Sequence, residues 1–405
     1  MTPGRITAVI CVSQALAQIG AFAVAALLPA FIDTWRLTNT EAGWIVGAFY
    51  AAYTLTVPVL VSLTDRVDPK RVYLFSTALT AMALFGYALL AEGLWSAVFF
   101  RILAGIGWAG TYMPGLKALS DLVEGPRQSR AVSFHAAAVG VSGACSFVVA
   151  GMAAAWFGWQ WAIAIGGAGA LLACLIMAAL LPSRIPQRRI GGHTALLNFL
   201  PVLRNRSALA YSLGYLVHTW EMSVLRTWVV TFLFFAAARS GDGAPVISPT
   251  AIATALALFG VWASVSGNEL AMRIGRRRFV FIVMLASMAM ALAIGFAPAV
   301  SYEFAAVLCI LYGMLIWADS SSLTAGAAGS ALPGQRGATL AVHSTMGYAG
   351  GFIGPLAVGL ILDLAGGGVT AWALAFASVA LVTAIGPMTL LILKPKDLPG
   401  DRPHV

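Results

Sequence analysis

An apolar run that begins near Ile6 and continues past Leu28 recurs along this chain at the length needed to cross a membrane, and no other feature constrains the fold as strongly. A helix rises about 1.5 Å per residue, so roughly 20 apolar residues cover the hydrocarbon core of a bilayer. Inside that core the backbone must satisfy its own hydrogen bonds, which makes each run a helix rather than an open strand. Runs separated by charge or by Gly/Pro breaks fall near 7–32, 43–63, 72–91, 95–116, 131–152 and 158–182, then 207–235, 250–271, 279–297, 303–328, 337–362 and 370–393. With 60% hydrophobic and 10% charged residues, water cannot be the main solvent of this chain. The first run is longer than a signal-peptide core and passes directly to Asp33 and Trp35, so it reads as a retained helix.

The formal charge of +9 does not point to nucleic acid, because the basic residues sit in short clusters between apolar runs. With the N-terminus placed in the cytoplasm, 20 of the 24 lysines and arginines fall on the inner side. Arg36 and Arg239 fall outside, and Arg101 and Arg226 lie within predicted helices. This split predicts a multi-pass protein of a bacterial inner membrane with both termini cytoplasmic. Cys11, Cys145, Cys174 and Cys309 all lie in apolar runs without paired spacing, so they predict neither a disulfide framework nor a zinc site.

The stretch from Ser183 to Ser207 holds Pro186, Gly191, Gly192 and five arginines and reads as a linker. Residues 196–203 are amphipathic enough to lie on the membrane surface, with a solvated loop as the alternative. The expected domains are residues 1–182, a cytoplasmic linker 183–206 and residues 207–405. An internal repeat supports the division. Asp65 and Met272 correspond at an offset of 207, as do Pro126 with Pro333 and Gln128 with Gln335, and an offset of 208 pairs Ile102-Leu103 and Gly105 with Ile310-Leu311 and Gly313. Equivalent helices are six apart, so the halves share one orientation.

These features resemble the major facilitator superfamily. Its loop pattern G-x-L-x-D-R-x-G-R-R is met between the second and third runs by Leu63, Asp65, Arg66, Lys70 and Arg71, with Val61 where glycine is usual and Asp68-Pro69 in place of Gly-Arg. The second copy keeps Gly275-Arg276-Arg277 but has Met272 in place of the acid. Arg101, Gly105, Gly107 and Gly110 match a second pattern, an arginine in helix four followed by spaced glycines. The resemblance implies an all-α membrane protein with twelve transmembrane helices in two pseudo-symmetric six-helix bundles. It also implies that helices one, four, seven and ten line a central cavity, and that glycine-rich helices five (Gly140, Gly143, Gly151) and eleven (Gly347, Gly350, Gly351, Gly354) form the moving interface. Asp65, Arg66, Arg71, Arg273, Arg276 and Arg277 are then gating candidates, although charge at these loops also serves topology alone.

Ionisable groups deep in a bilayer are costly unless paired or wet, so each is a functional candidate. They are Arg101, His218, Glu221, Arg226 and Asp319, with His135 and His343 a few turns into helices five and eleven. His218 and Glu221, three apart, share a helical face, and a carboxylate beside an imidazole suits proton coupling, as does Asp319. An ion pair of Glu221 with Arg226 or Arg101 is the structural alternative. Arg101, Trp108, Tyr112, His218, Trp220, Arg226 and Trp317 are the substrate-binding candidates, the aromatics enclosing an organic solute and the arginines favouring an anion. His218-x-x-x-Met222 has a spacing open to a soft metal, but no cluster of ligands accompanies it.

The expected function is secondary transport of a small organic solute by alternating access, proton-coupled, in a monomer that needs no cofactor and no metal. Its expected partners are the solute and the lipid bilayer, not nucleic acid. A proton-driven exporter of amphipathic drugs is the alternative. A passive channel, a sensor or an intramembrane enzyme fits less well, because no nucleophile and base share a suitable spacing. The phosphate-binding pattern G-x-x-x-x-G-K-[ST] does not occur, which argues against ATP as the energy source.

Overall fold

Among the described residues, twelve helices of 22 to 35 residues are long and apolar enough to cross a membrane. They are α1 (Pro3–Ala26), α2 (Asn39–Leu63), α3 (Pro69–Leu90), α4 (Leu94–Leu122), α5 (Arg130–Phe157) and α6 (Trp159–Leu180), then α7 (Arg206–Ser240), α8 (Pro249–Ile274), α9 (Arg276–Ala299), α10 (Tyr302–Gly329), α11 (Arg336–Leu364) and α12 (Gly368–Leu393). The computed structural model describes residues 1–64, 66–123, 126–183, 199–240, 245–333, 335–396, 398 and 401, and no strand occurs among them. The chain is a multi-pass membrane protein, and each predicted run after the first falls on one of these helices, whereas the first, 7–32, runs past α1 into a separate helix, Leu28–Trp35.

Local chemistry sets the helix ends. Asp68 accepts a hydrogen bond from the Lys70 backbone N–H (2.9 Å) and Pro69 takes the first helical position of α3, so Asp68-Pro69 supplies an N-cap. Ser248 and Ser301 cap α8 and α10 in the same manner, accepting from Ala251 (3.3 Å) and Phe304 (3.1 Å). Gly275 joins α8 to α9 at φ +92°, a conformation that a Cβ would strain. Five helices break part-way along: α1 after Gln18, α4 at Gly110-Thr111, α9 after Ile294, α10 at Asp319 and α12 at Ala384. The 35 residues of α7 run without interruption.

Contacts divide the chain into unit 1, residues Met1–Leu37 with Ala48–Gly191, and unit 2, residues Thr38–Gly47 with Gly192–Val405. Sequence reading places the whole of α2 in the first half, whereas its first turns group with unit 2. Asp363, near the end of α11, is one of the groups that hold these turns. Its Oδ1 accepts from the backbone N–H of Asn39 (2.9 Å), and its Oδ2 accepts from the backbone N–H (2.8 Å) and hydroxyl (2.6 Å) of Thr40. These amides have no partner within their own helix, so a carboxylate from α11 caps α2. Most of the linker, 184–198, lies outside the described residues. At its end a short helix, Leu200–Arg204, buries Val202 against Ala208 and Val342 and leaves Leu200 and Leu203 exposed.

In unit 1, α1 packs on α6 where Gly20 and Gly166 cross. A Cβ on Gly20 would come within 2.6 Å of the Gly166 Cα, so two bare backbones are required there. Trp35 and Trp159 join Phe31 and Tyr87 in one aromatic cluster, with Phe31 and Trp35 stacked at 4.7 Å. In unit 2 the glycines of α11 meet α7: a Cβ on Gly354 would lie 3.0 Å from the Ser223 Oγ and the Trp220 carbonyl, and the Thr219 hydroxyl donates to the Gly347 carbonyl. Gly347, Gly350 and Gly354 of α11 thus pack closely on α7 of the same unit.

Candidate functional site

Glu221 and Asp319 lie in unit 2, each 3% exposed. Glu221 sits in the uninterrupted α7, and its Oε1 accepts from two hydroxyls, Tyr312 of α10 at 2.7 Å and Ser287 of α9. Two donors on one oxygen offset the desolvation of a buried carboxylate, and both can equally serve the carbonyl oxygen of a neutral carboxyl. Asp319 occupies the break in α10, between Tyr302–Ala318 and Ser320–Gly329, and makes no capping bond there. It points to His218 instead, with its Oδ1 2.8 Å from Nδ1.

His218 and Glu221, expected to act as a pair, meet different partners. They share a face of α7, yet a 60° difference in direction is enough to turn one toward α10's break and the other toward Ser287 and Tyr312. Tyr215, one turn before His218, stacks on it at 5.4 Å and on His343 of α11 at 4.0 Å, both nearly parallel. His343 Nε2 lies 3.3 Å from the Thr324 hydroxyl. The result is an aromatic and imidazole stack that ends in a buried carboxylate.

Arg226 places its guanidinium over the Trp317 ring, 4.7 Å from the centroid, which brings together two of the substrate-binding candidates. Trp220 is buried on α7. In unit 1, Arg101 is 3% exposed and lies over the Phe49 ring at 4.2 Å. Phe49 also meets Trp108 at 5.2 Å, and the Trp108 indole N–H donates to Gln18 of α1 at 2.7 Å. Tyr112 stacks on the buried His135 at 5.4 Å. Arg101, Trp108 and Phe49 thus form one group, while Tyr112 belongs to a second around His135.

Of the gating candidates, Asp65 lies outside the described residues. Arg66, Arg71 and Arg273 are exposed, Arg277 is half-buried, and Arg276 is buried. Lys70, which the sequence marks only as part of the motif, donates to the Ala178 carbonyl (2.9 Å) and the Leu181 carbonyl (2.5 Å) and so caps the end of α6. Sequence reasoning missed Ser287, Tyr215, Thr324, Phe49 and Gln18, neutral residues whose importance arises from what they touch. Only the general expectation that a buried charge recruits hydroxyl and aromatic neighbours bears on them.

Comparison with known proteins agrees with this architecture. The family model for the Major Facilitator Superfamily matches residues 10–250. Human spinster homolog 1 is 24% identical over 261 residues, which is 61% of this chain and 49% of that protein, so the match spans about half the length of this relative. Multidrug resistance protein 2 of Bacillus subtilis is 23% identical over 369 residues, 86% of each chain. Among solved structures, a bacterial homolog to the human lysosomal transporter Spinster, inward-facing and occupied, superposes with TM-score 0.80 at 16% identity over 97% of each chain. The nucleoside transporter NupG gives 0.73 at 16% identity over 96% of this chain and 99% of its own. Matched by the family model over more than half of its length and folded as twelve membrane helices, the chain belongs to the Major Facilitator Superfamily of membrane transporters.

Proposed function

We propose that this transporter is a proton-coupled secondary carrier of a small organic solute, working by alternating access from an inner membrane with both termini in the cytoplasm. One observation carries the coupling: two carboxylates are buried in unit 2 on different elements, Glu221 against two hydroxyls and Asp319 against an imidazole. A buried acid with a conditional partner can hold its proton in one conformation and release it in another, which is what coupling demands. Arg101 over Phe49 and Arg226 over Trp317 are cationic and aromatic groups of the kind that would recognise an organic anion. The placement of both termini in the cytoplasm rests on the distribution of lysine and arginine.

The similarity to a multidrug resistance protein along 86% of the chain supports a second reading, proton-driven export of amphipathic drugs. Proteoliposomes loaded at one pH and diluted into another, supplied with a mixed metabolite and drug library and analysed by mass spectrometry, test both readings. Solute accumulation that collapses with the pH gradient supports coupling, and the identity of the accumulated compounds separates the two. Accumulation indifferent to the gradient overturns it.

A further inference from the structure

The second copy of the loop motif, between α8 and α9, lacks its acid, since Met272 stands at that position. Its arginine nevertheless has a carboxylate. Arg276, 4% exposed, donates from Nε and Nη2 to the two oxygens of Asp401 at 3.1 and 2.9 Å, a bidentate pair, and Asp401 is itself 2% exposed. Nη1 donates to the Asn268 side chain of α8 at 2.9 Å and to the Ser322 carbonyl of α10 at 3.0 Å. One guanidinium therefore ties α8, the start of α9, α10 and the segment after α12 together.

That segment is held at further points. Lys394 ends α12 in the left-handed region at φ +46°, which turns the chain away from the helix axis. The Lys396 backbone N–H then donates to the Ser207 hydroxyl at the start of α7 (3.0 Å), and Arg206 donates to the Ile392 carbonyl (3.1 Å). Leu398 lies over Gly329 at the end of α10, so close that a Cβ there would come within 2.6 Å of it. Asp401 is thus delivered to Arg276 by a docked segment, and all of these contacts lie within unit 2.

We propose that Asp401 is the positioning residue of the α8–α9 loop, standing in for the acid that the motif lacks at Met272. It commits Arg276 to the interior of unit 2 and fixes the loop so that Arg273, Arg277 and Arg278 remain on its outer side. This rests on the reading of that loop as a gate. Within it, Arg276 is the anchor and the other arginines are the contacts left for a partner surface or lipid.

The test uses the full chain in liposomes, with Cys11, Cys145, Cys174 and Cys309 replaced by alanine. A spin label on Lys396→Cys reads docking of the segment, and the rate at which a charged maleimide modifies Arg277→Cys reads the loop. Val246→Cys, in the connection between α7 and α8 and labelled from its own side of the membrane, is the control for general loosening. Asp401→Asn should mobilise the label at position 396 and raise labelling at 277 about fivefold or more, leaving 246 unchanged, and Asp401→Glu should reverse both. Leu398→Ser, which loosens the seat of the segment on Gly329 while keeping both charged side chains, should do the same if Asp401→Asn does not yield folded protein. Unchanged readouts at 396 or 277 overturn the proposal, as does an equal rise at 246, which would mark Asp401 as merely stabilising. None of these readouts requires transport, so a failure of the carrier reading would be seen separately.

Discussion

His218 and Asp319 meet at 2.8 Å between Nδ1 and Oδ1, while Glu221, one turn from His218 on the same helix, is bound to Tyr312 and Ser287. Two carboxylates thus occupy separate polar settings inside one unit, and the first two predictions separate them.

Glu221→Gln keeps an oxygen able to accept from both hydroxyls, so it should fold as the native chain does. It cannot release a proton. Accumulation driven by a pH gradient should be lost, with substrate binding retained in a thermal-shift titration. Glu221→Leu should in addition lower thermal stability, because two buried hydroxyls lose their acceptor at about 1–3 kcal/mol each. A Gln variant that still concentrates solute removes Glu221 from the coupling path.

Asp319→Asn leaves His218 without a countercharge. If the pair handles the proton, the pH profile of transport should move in Asp319→Asn and in His218→Gln alike, and the double variant should resemble either single one. Additive effects in that cycle would show two independent roles.

Arg101 presents a planar cation to Phe49, which lysine reproduces poorly. Arg101→Lys should weaken binding of an anionic solute about tenfold or more, a change of roughly 1.4 kcal/mol, while the melting temperature stays near that of the native chain. Full transport by both Arg101→Lys and Arg101→Ala would remove this residue from the site.

Gly20→Val should destabilise unit 1 by about 1–3 kcal/mol, since its side chain must push against the Gly166 backbone. Gly4→Val, where no atom lies within 4 Å of the added Cβ, should be tolerated, apart from a small loss of helix propensity. Thermal unfolding in detergent compares the two directly.

Cysteines placed at Lys394 and at Ser183 should react with an impermeant reagent only from the cytoplasmic side, and one at Val246, which is 99% exposed, only from the opposite side. Any other pattern overturns the assigned orientation.

The twelve crossings and the fold class were readable in the chain because lipid imposes one demand on every span, about 20 apolar residues with internally satisfied backbone, and that demand is local. The ionisable residues at positions 101, 218, 221, 226 and 319 stood out individually for the same reason. Their partners did not. Whether Glu221 faces His218 or Tyr312 depends on 60° of helical rotation and on where α9 and α10 pack, and neither quantity is encoded within one segment. Asp363 capping α2 and Asp401 holding Arg276 join positions 324 and 125 residues apart, a distance at which only the assembled fold brings side chains together. Hydropathy along the chain determined what spans the membrane, and tertiary packing alone decided which acid answers which donor.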